Sequence, residues 1–427
     1  VTSVDSYLLP PPFPIPPGRG RWRLTLHARQ FTDTAWSASL ITELVQARGR
    51  LLTQQLNTPA ELTFTLDGRS AAAKLVVELE TDVVAWRWDE YSGKDVAYFR
   101  GIIDHSEDQL TEDSHVVTWT AHDYLAMMAR RFVTSTLNYN EDQDYVAGDL
   151  VTRSVNVVST AGTSFSPGSY LPLAAVRVGQ DGSSRPALSG QTRVRQYLGS
   201  QQLDTALDDL AHVIGGFDYD CIPGWRYPAG PGNSTMHDIV RIFYPNQGIA
   251  RSDPVLEYGS GVAQVTRSVA STDYTNFDRV LGNNQSSNPG DPQVYSEKWT
   301  SDANNIGVNP IGLWMSAENA ADVILNETLD EQALGTLNLN GLLIPTYTVK
   351  LRPNLFTDGL FNMGDTMPLI INSGRLNVSD PQRIVGMTFT IGDDGQEDVG
   401  VTFGRPLKTL LGLVSAGWAD VNALARR

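Results

Sequence analysis

A single cysteine in 427 residues, Cys221, leaves no intrachain disulfide and no zinc site built on thiolates. The sequence therefore does not depend on an oxidising compartment. No apolar run reaches the roughly 18 residues that a helix needs to span a bilayer. The six histidines (His27, His105, His115, His122, His212 and His237) are scattered, and none forms a His-x-x-x-His or His-Glu-x-x-His pair. Positive charge is scarce. Lysine and arginine number 32 against 48 aspartates and glutamates, a formal net charge of −16. Such a field repels nucleic acid and argues against static DNA binding. It is compatible with an acidic wall along a channel through which DNA slides. The N-terminus has no basic start, and prolines interrupt its apolar stretch, so no signal peptide is expected and the chain starts in the cytoplasm.

What is present is ordinary globular material, 41% apolar and 19% charged. The length predicts two to four domains. Residues 10–18 are mostly proline, which favours polyproline II and an extended arm. Phe13 and Ile15 give that arm something to bury on a neighbour; a free terminus is the other reading. Trp22, Leu24 and Leu26 then alternate with Arg23, Thr25 and His27, the period of a half-buried strand. Strands are also predicted over 61–66, 82–88, 96–106 and 114–120. Between the first two, Leu40, Ile41, Leu44 and Val45 have helical spacing, though short strands also fit.

The period changes at 121–131, where Asp123 in the first turn and Arg130 and Arg131 in the last suit a short helix. A helix is predicted from Asp142 to Val158, and a long loop over 159–193. Leu203, Leu207, Leu210, Val213 and Ile214 form a helical stripe that stops at Gly215-Gly216. A strand through Phe217, Tyr219 and Cys221 pairs with one over 239–244. Shorter β segments follow over 255–258, 262–268 and 276–282. Residues 283–316 read as loop, then a helix over 316–333 with Ser316 as N-cap. Strands are predicted over 346–351, 366–371, 383–391 and 397–403, with turns at Ser373-Gly374 and Asp393-Asp394-Gly395. The end, 406–427, suits a helix. Leu407, Val414 and Val421 share one heptad position, and Leu410, Gly417 and Leu424 share another. Packed terminal helix and coiled coil both fit this pattern.

The chemistry-bearing patterns are incomplete. Cys221 shares its strand face with Phe217 and Tyr219, a buried apolar setting rather than a nucleophile's. Asp302-Ala303-Asn304-Asn305-Ile306-Gly307 starts like a calcium loop, but Ile306 fails as a ligand and Leu313 stands where glutamate is needed. Asp142-Gln143-Asp144 fails at the same place. Tyr258-Gly259-Ser260-Gly261 lacks the third glycine and a following helix, so it reads as a strand-to-strand turn. The carboxylate pairs Asp208-Asp209, Asp218/Asp220 and Asp393-Asp394 fall on predicted surface faces or turns. No catalytic, cofactor-binding or metal-ligating residue is assigned.

Three segments together resemble the tail-hub, or minor tail, proteins of long-tailed phages of actinobacteria. The first is Val117-Thr118-Trp119-Thr120-Ala121-His122-Asp123-Tyr124-Leu125-Ala126-Met127-Met128-Ala129-Arg130-Arg131, similar to a strand leading into an Asp-x-Leu-x-x-Leu-x-x-Arg helix. His122 stands where the family often has glycine or arginine, and Tyr124 departs from a simple aliphatic. The second runs from Ser271-Thr272-Asp273-Tyr274-Thr275-Asn276 to Arg279-Val280-Leu281-Gly282. The third runs from Arg383-Ile384-Val385-Gly386 to Phe403-Gly404-Arg405-Pro406, like the family's closing hairpin. Order and spacing carry the match from about 20 to 410.

The resemblance implies an α+β, mainly β, fold with two hub-type β-barrel domains, intervening mixed α/β insertion and a C-terminal helix. The expected division is an extended arm at 1–20, a first barrel at 21–135, an insertion at 136–260, a second barrel at 261–405 containing helix 316–333, and the terminal helix at 406–427. It implies a structural, non-enzymatic hub with no cofactor and no membrane span. This hub is a homotrimer that joins the sixfold tail tube to a threefold tip or fibre of the virion and lines the DNA exit channel. Its partners would be the tail tube or distal tail ring, the tape measure protein and downstream tip or fibre proteins. Two other readings stay open: a tail-associated cell-wall or glycan hydrolase, and a carbohydrate-binding module drawing on the nine tryptophans. Trp22, Trp86, Trp88 and Trp119 alternate within strands, which points to core instead.

Overall fold

The computed structural model describes residues 22–404 except 33–34, 90–93, 156–170, 172, 186, 214, 227–234, 270, 273, 284–293, 302, 304–311, 321–322, 324, 342, 344, 353–359 and 394–396. The proline-rich arm, the terminal helix, most of the 393–395 turn and most of the calcium-like stretch at 302–313 lie outside the described residues.

Seven strands come first: β1 (Trp22–Thr32), β2 (Ala35–Glu43), β3 (Arg48–Gln55), β4 (Thr58–Asp67), β5 (Thr81–Asp89), β6 (Lys94–Leu110) and β7 (His115–His122). A 3-10 helix, Tyr124–Arg130, closes this part. Then follow β8 (Leu137–Asp142), α1 (Gln143–Val155), β9 (Leu173–Val178), β10 (Thr192–Tyr197), α2 (Leu203–Ala211), β11 (Asp218–Arg226) and β12 (Thr235–Phe243). The next group is β13 (Leu256–Glu257), β14 (Val262–Ser268), β15 (Phe277–Leu281), β16 (Tyr295–Trp299), β17 (Met315–Asn319) and α3 (Asn326–Asn340). The chain returns to sheet with β18 (Thr346–Leu351), β19 (Thr366–Ser373), β20 (Leu376–Val378), β21 (Pro381–Ile391) and β22 (Glu397–Phe403).

One 17-stranded sheet system takes in strands from both ends of the chain. An antiparallel path runs β2–β1–β5–β6–β7–β4–β3–β21–β22–β18–β14. The two barrels expected from the resemblance do not close among the described residues. The edge of β3 that closure would need is taken by β21, from Gly386↔Gln55 to Ile391↔Arg50. The fold is mainly β with small helical additions, as expected.

Period-2 patterning explains the strands. In β4, Ala60, Leu62, Phe64 and Leu66 are buried and alternate with half-buried Glu61, Thr63 and Thr65. β1 differs from the half-buried strand expected, since Arg23, Thr25 and His27 are buried too. Each has a partner: Arg23 binds Glu43 and Asp95, and Thr25 lies 2.9 Å from His27 Nε2. Of the four tryptophans expected in the core, Trp22, Trp86 and Trp119 are buried, but Trp88 is exposed near the end of β5.

Several elements depart from the sequence expectation. The undecided stretch at 36–56 is strand, as β2 and β3. Residues 121–131 do not form a full α-helix: β7 pairs on both sides as far as His122, holding the backbone extended, and only a 3-10 helix follows. The loop expected over 159–193 contains β9 and the start of β10, and that over 283–316 contains β16 and the start of β17. The helix expected over 316–333 is α3, Asn326–Asn340. Ser316 is no cap; it sits in β17 opposite Asp278 of β15, with its hydroxyl on that carboxylate. Strand pairing overrides the local capping signal. The turns at Gly259 and Gly374 are between strands, as read from the sequence.

Among the described residues, three apolar clusters result. The largest lies within the main sheet and includes Leu26, Phe64, Trp119, Phe389 and Val401. A second packs α1 and α2 on β11 and β12 through Leu150, Leu207, Tyr219 and Val240. A third holds α3 against β15 through Val280, Leu329 and Ala333.

Gly248 and Gly364 mark a backbone crossing at the edge of the main sheet. Both have positive φ, +86° and +85°, and a Cβ on Gly248 would lie 2.0 Å from the carbonyl carbon of Gly364. Gly248→Ala should cost about 3 kcal/mol or more in urea unfolding, because strain and overlap add. Gly312→Ala, at φ +83° with open space around it, should cost only the roughly 1–2 kcal/mol of backbone strain. Equal losses would show that the crossing is not tight.

Candidate assembly site

The residues with the most distinctive chemistry lie where parts of the fold meet. Where β22 meets β5, Glu397 is buried at the start of its strand. Arg87 from β5 grips it with two bonds, 2.7 and 3.1 Å, across 310 residues of sequence. Trp22 Nε1 donates a third bond at 2.6 Å. The Arg87 guanidinium lies 5.9 Å from the rings of both Trp22 and Tyr98, and Tyr98 meets Phe389 of β21 edge-on at 5.3 Å. Arg50 extends the same joint, donating to the Gly392 carbonyl. Charge-assisted, bidentate pairs of this kind are both strong and geometrically selective.

The second joint lies between the main sheet and the mixed α/β part. Arg100 of β6 is fully buried. It donates to Asp82 of β5 at 2.7 and 3.1 Å and to Asp238 of β12 at 3.1 Å. Tyr124, on the 3-10 helix, donates to Asp82 at 2.9 Å, and Arg100 stacks 4.7 Å from its ring. Asp123 caps that helix by accepting from Leu125 N and also accepts from Ala60 N of β4, at 3.0 and 2.9 Å. Burial raises the Asp238 carboxyl to about 7, although Arg100 opposes this. Burial also raises Asp123 to about 7 against its two backbone bonds. Burial, aided by the Arg100 charge, presses His27 down to about 3, so it stays neutral.

A crevice touches Arg100, Asp123, Asp238 and Cys221 but is too tight to admit a water molecule, let alone the ligand of a small-molecule site. Cys221 is half-buried beside the second apolar cluster. Burial, then the charge of Asp123, holds its thiol well above the ordinary range, the opposite of an activated nucleophile. The perturbed carboxylates here have their oxygens engaged by Arg100 and by backbone N–H groups, so they fasten elements together. Among the described residues, no group of three or more His, Cys, Asp or Glu side chains could hold a metal ion. No helix among them is long and apolar enough to cross a membrane.

The fold resembles that of two tail proteins, one of them from a prophage. The tail protein from Neisseria meningitidis MC58 superposes with a TM-score of 0.51 at 11% identity, covering 90% of this chain and 97% of that one. The 43 kDa tail protein of prophage MuSo2 from Shewanella oneidensis gives 0.53 at 10% identity, covering 90% and 98%. At such identities the likeness is one of fold. No protein-family model and no curated protein matches the sequence.

His122 ends β7, at the junction with the 3-10 helix. Its Nδ1 is 2.9 Å from Asp104, and its Nε2 is 3.4 Å from Glu61. Burial lowers its pKa, but the two carboxylates outweigh burial and raise it to about 9. The ring is therefore a cation at neutral pH, as an arginine would be. Of the acidic pairs expected at the surface, Asp218 is instead buried and binds Arg383 and the Gln247 N–H. Asp208 does pair near the surface, with His212. Sequence reading did not single out Arg87, Arg100, Asp82, Asp238 or Glu397. The available signal was a charge inside a β-branched or aromatic run, as in Phe99-Arg100-Gly101-Ile102.

Two tests follow from these contacts. Arg87→Met leaves Glu397 buried without its cation and should cost about 3–5 kcal/mol, whereas Arg87→Met with Glu397→Leu should recover most of that loss. Equal losses in the two variants would show that the pair is not the joint. For His122, the folded pKa lies above the unfolded 6.5. Its contribution is full below pH 6.5 and lost as pH rises through about 9. His122→Gln should remove on the order of 2–3 kcal/mol at pH 6 and flatten the stability profile between pH 6.5 and 9. An unchanged slope in urea titrations over that range would refute the assignment.

Proposed function

We propose that this chain is a structural hub of a phage tail tip, assembled as a homotrimer. The observation that carries the reading is the single sheet running through β3 and β21, in a fold shared over nine-tenths of the chain with two tail proteins. In such a part, two β units of one chain stand side by side in fixed register. Residues 21–135 and 261–405 would form those units, with 136–260 inserted between them. Three chains would then present six β units and match a sixfold tube to a threefold tip, because a heterologous ring closes only when its rotation fits.

In this reading the neighbours are the tail tube or distal tail ring above, the tape measure protein within, and tip or fibre proteins below. The net charge of −16 keeps the channel wall from gripping DNA during ejection. The protein would act in the virion, in host attachment and DNA delivery, with no chemical step of its own. Supporting this, the buried carboxylates are tied to arginines and backbone, and the crevice beside them is small.

Light scattering on the purified chain should give three times the 46.7 kDa chain mass, and virion composition should show three copies per tail. Six copies would move the protein to a ring above the tip. Release of sugar or peptide from host cell wall, abolished by one Asp or Glu substitution, would establish the hydrolase reading instead.

A further inference from the structure

The small sheet β16–β15–β17 has two unlike faces. Along β15, Asp278 and Val280 are buried, while Phe277, Arg279 and Leu281 point the other way. α3 packs on the inner face through Leu329 and Ala333 against Val280. Nothing described covers the outer face. There Phe277 is flanked by Trp299 on β16 and Met315 on β17. The Phe277 and Trp299 rings are parallel within 6°, with centroids 6.2 Å apart. Exposure is 52% for Trp299, 54% for Tyr295 and 61% for Met315, and Leu313 and Trp314 just before β17 are 52% and 44% exposed.

We propose that a second copy of this chain seats on this outer face. The inference rests on the oligomeric hub reading above and adds to it a contact surface. Two arguments favour a like chain as occupant. The first is charge. A chain carrying −16 repels its own copies through its net field. The outer face is neutral, because its charged residues, Arg279 and Glu297, bind each other, with Arg279 also 5.8 Å from the Tyr295 ring. Two copies can meet there without like-charge cost. The second is size. Four large side chains about half exposed, Trp299, Tyr295, Met315 and Leu313, present roughly 400 Å² of apolar surface, within the range of the largest patch on a monomer. With a polar rim, this approaches the about 800 Å² per partner of a stable interface. Trp, Tyr, Met and Arg are also the residues enriched in interface cores. The face is backed by α3, whose Glu331 takes Arg193 of β10 at 2.8 Å. In a ring the contact is heterologous, and this face meets a different face of the next copy.

The test is light scattering across a concentration series on four full-length chains: wild type, Trp299→Ser with Met315→Ser, Met315→Glu alone, and Leu110→Ser. Leu110 is 71% exposed at the end of β6, and its variant is the control. Wild type and the control should be trimers. The double variant should dissociate at concentrations at least tenfold higher than wild type, and Met315→Glu should do so with an unchanged circular-dichroism spectrum. Trimers of unchanged affinity in both variants would overturn the proposal while leaving the hub reading intact. A monomeric wild type would overturn the oligomeric reading itself, and this contact with it. Binding of chitotetraose by the wild-type trimer, lost in the variants without a change of mass, would assign the face to a glycan instead.

Discussion

The backbone hydrogen bonds between β3 and β21 make one sheet of two regions that lie far apart in sequence. The chain must close a loop of several hundred residues to form them. A flexible loop of that length costs only about 5 kcal/mol beyond a constant, because the cost grows with the logarithm of length. A paired strand with a buried face can meet this. Everything on either side follows from the pairing. β3 cannot also close a barrel with β2, and β21 carries β22, β18 and β14 outward from it.

The two buried charge clusters lie where separate parts of the fold come together. At the first, β5 and β22 come together at the edge of the largest apolar cluster. At the second, β12 meets β2 in register at one residue pair only, Thr235↔Ser37. There Arg100 reaches Asp238 on β12 while holding Asp82 on β5, beside the bond from Tyr219 N to Asn57 and the bond from Arg383 to Asp218. Tyr124 and Asp123 add the 3-10 helix to the same point. The segment around 117–131 that carries the family resemblance is therefore also where three parts of the chain converge. Its histidine, aspartate and tyrosine each have a defined partner there.

Strands with one clean face were legible from the sequence: β4, β18 and β22 fall where alternation predicts them. The stripe of α2 was legible too. What alternation cannot show is a strand covered on both sides, as β1 is, because polar side chains on its second face look solvated until their partners are known. Local signals also misled where pairing is parallel or distant. Ser316 had the form of a helix cap, yet β17 is held by β15. The loops over 159–193 and 283–316 had turn-rich composition, but their strands are stabilised by partners elsewhere in the chain, not by their own propensity. The charge clusters left a fainter trace, single ionic residues in otherwise apolar strands. That marks a residue as exceptional without naming its partner.

Buried ion pairs contribute little net stability, since desolvation offsets most of their attraction. Their value here is better understood through register. A slip of one residue between β21 and β22, or between β3 and β21, would turn every inward side chain outward. Apolar faces resist that slip, but they resist a slip of two residues only weakly, because it puts one apolar residue in the place of another. Glu397 resists it strongly, because a displaced carboxylate would face apolar groups while Arg87 lost its partner. The same holds for Arg100 between Asp82 and Asp238. A part that must present two β units at a fixed spacing has more to lose from a shifted register than from a modest loss of stability. Ionic contacts at the joints and apolar contacts within each layer are the division of labour that such a constraint favours.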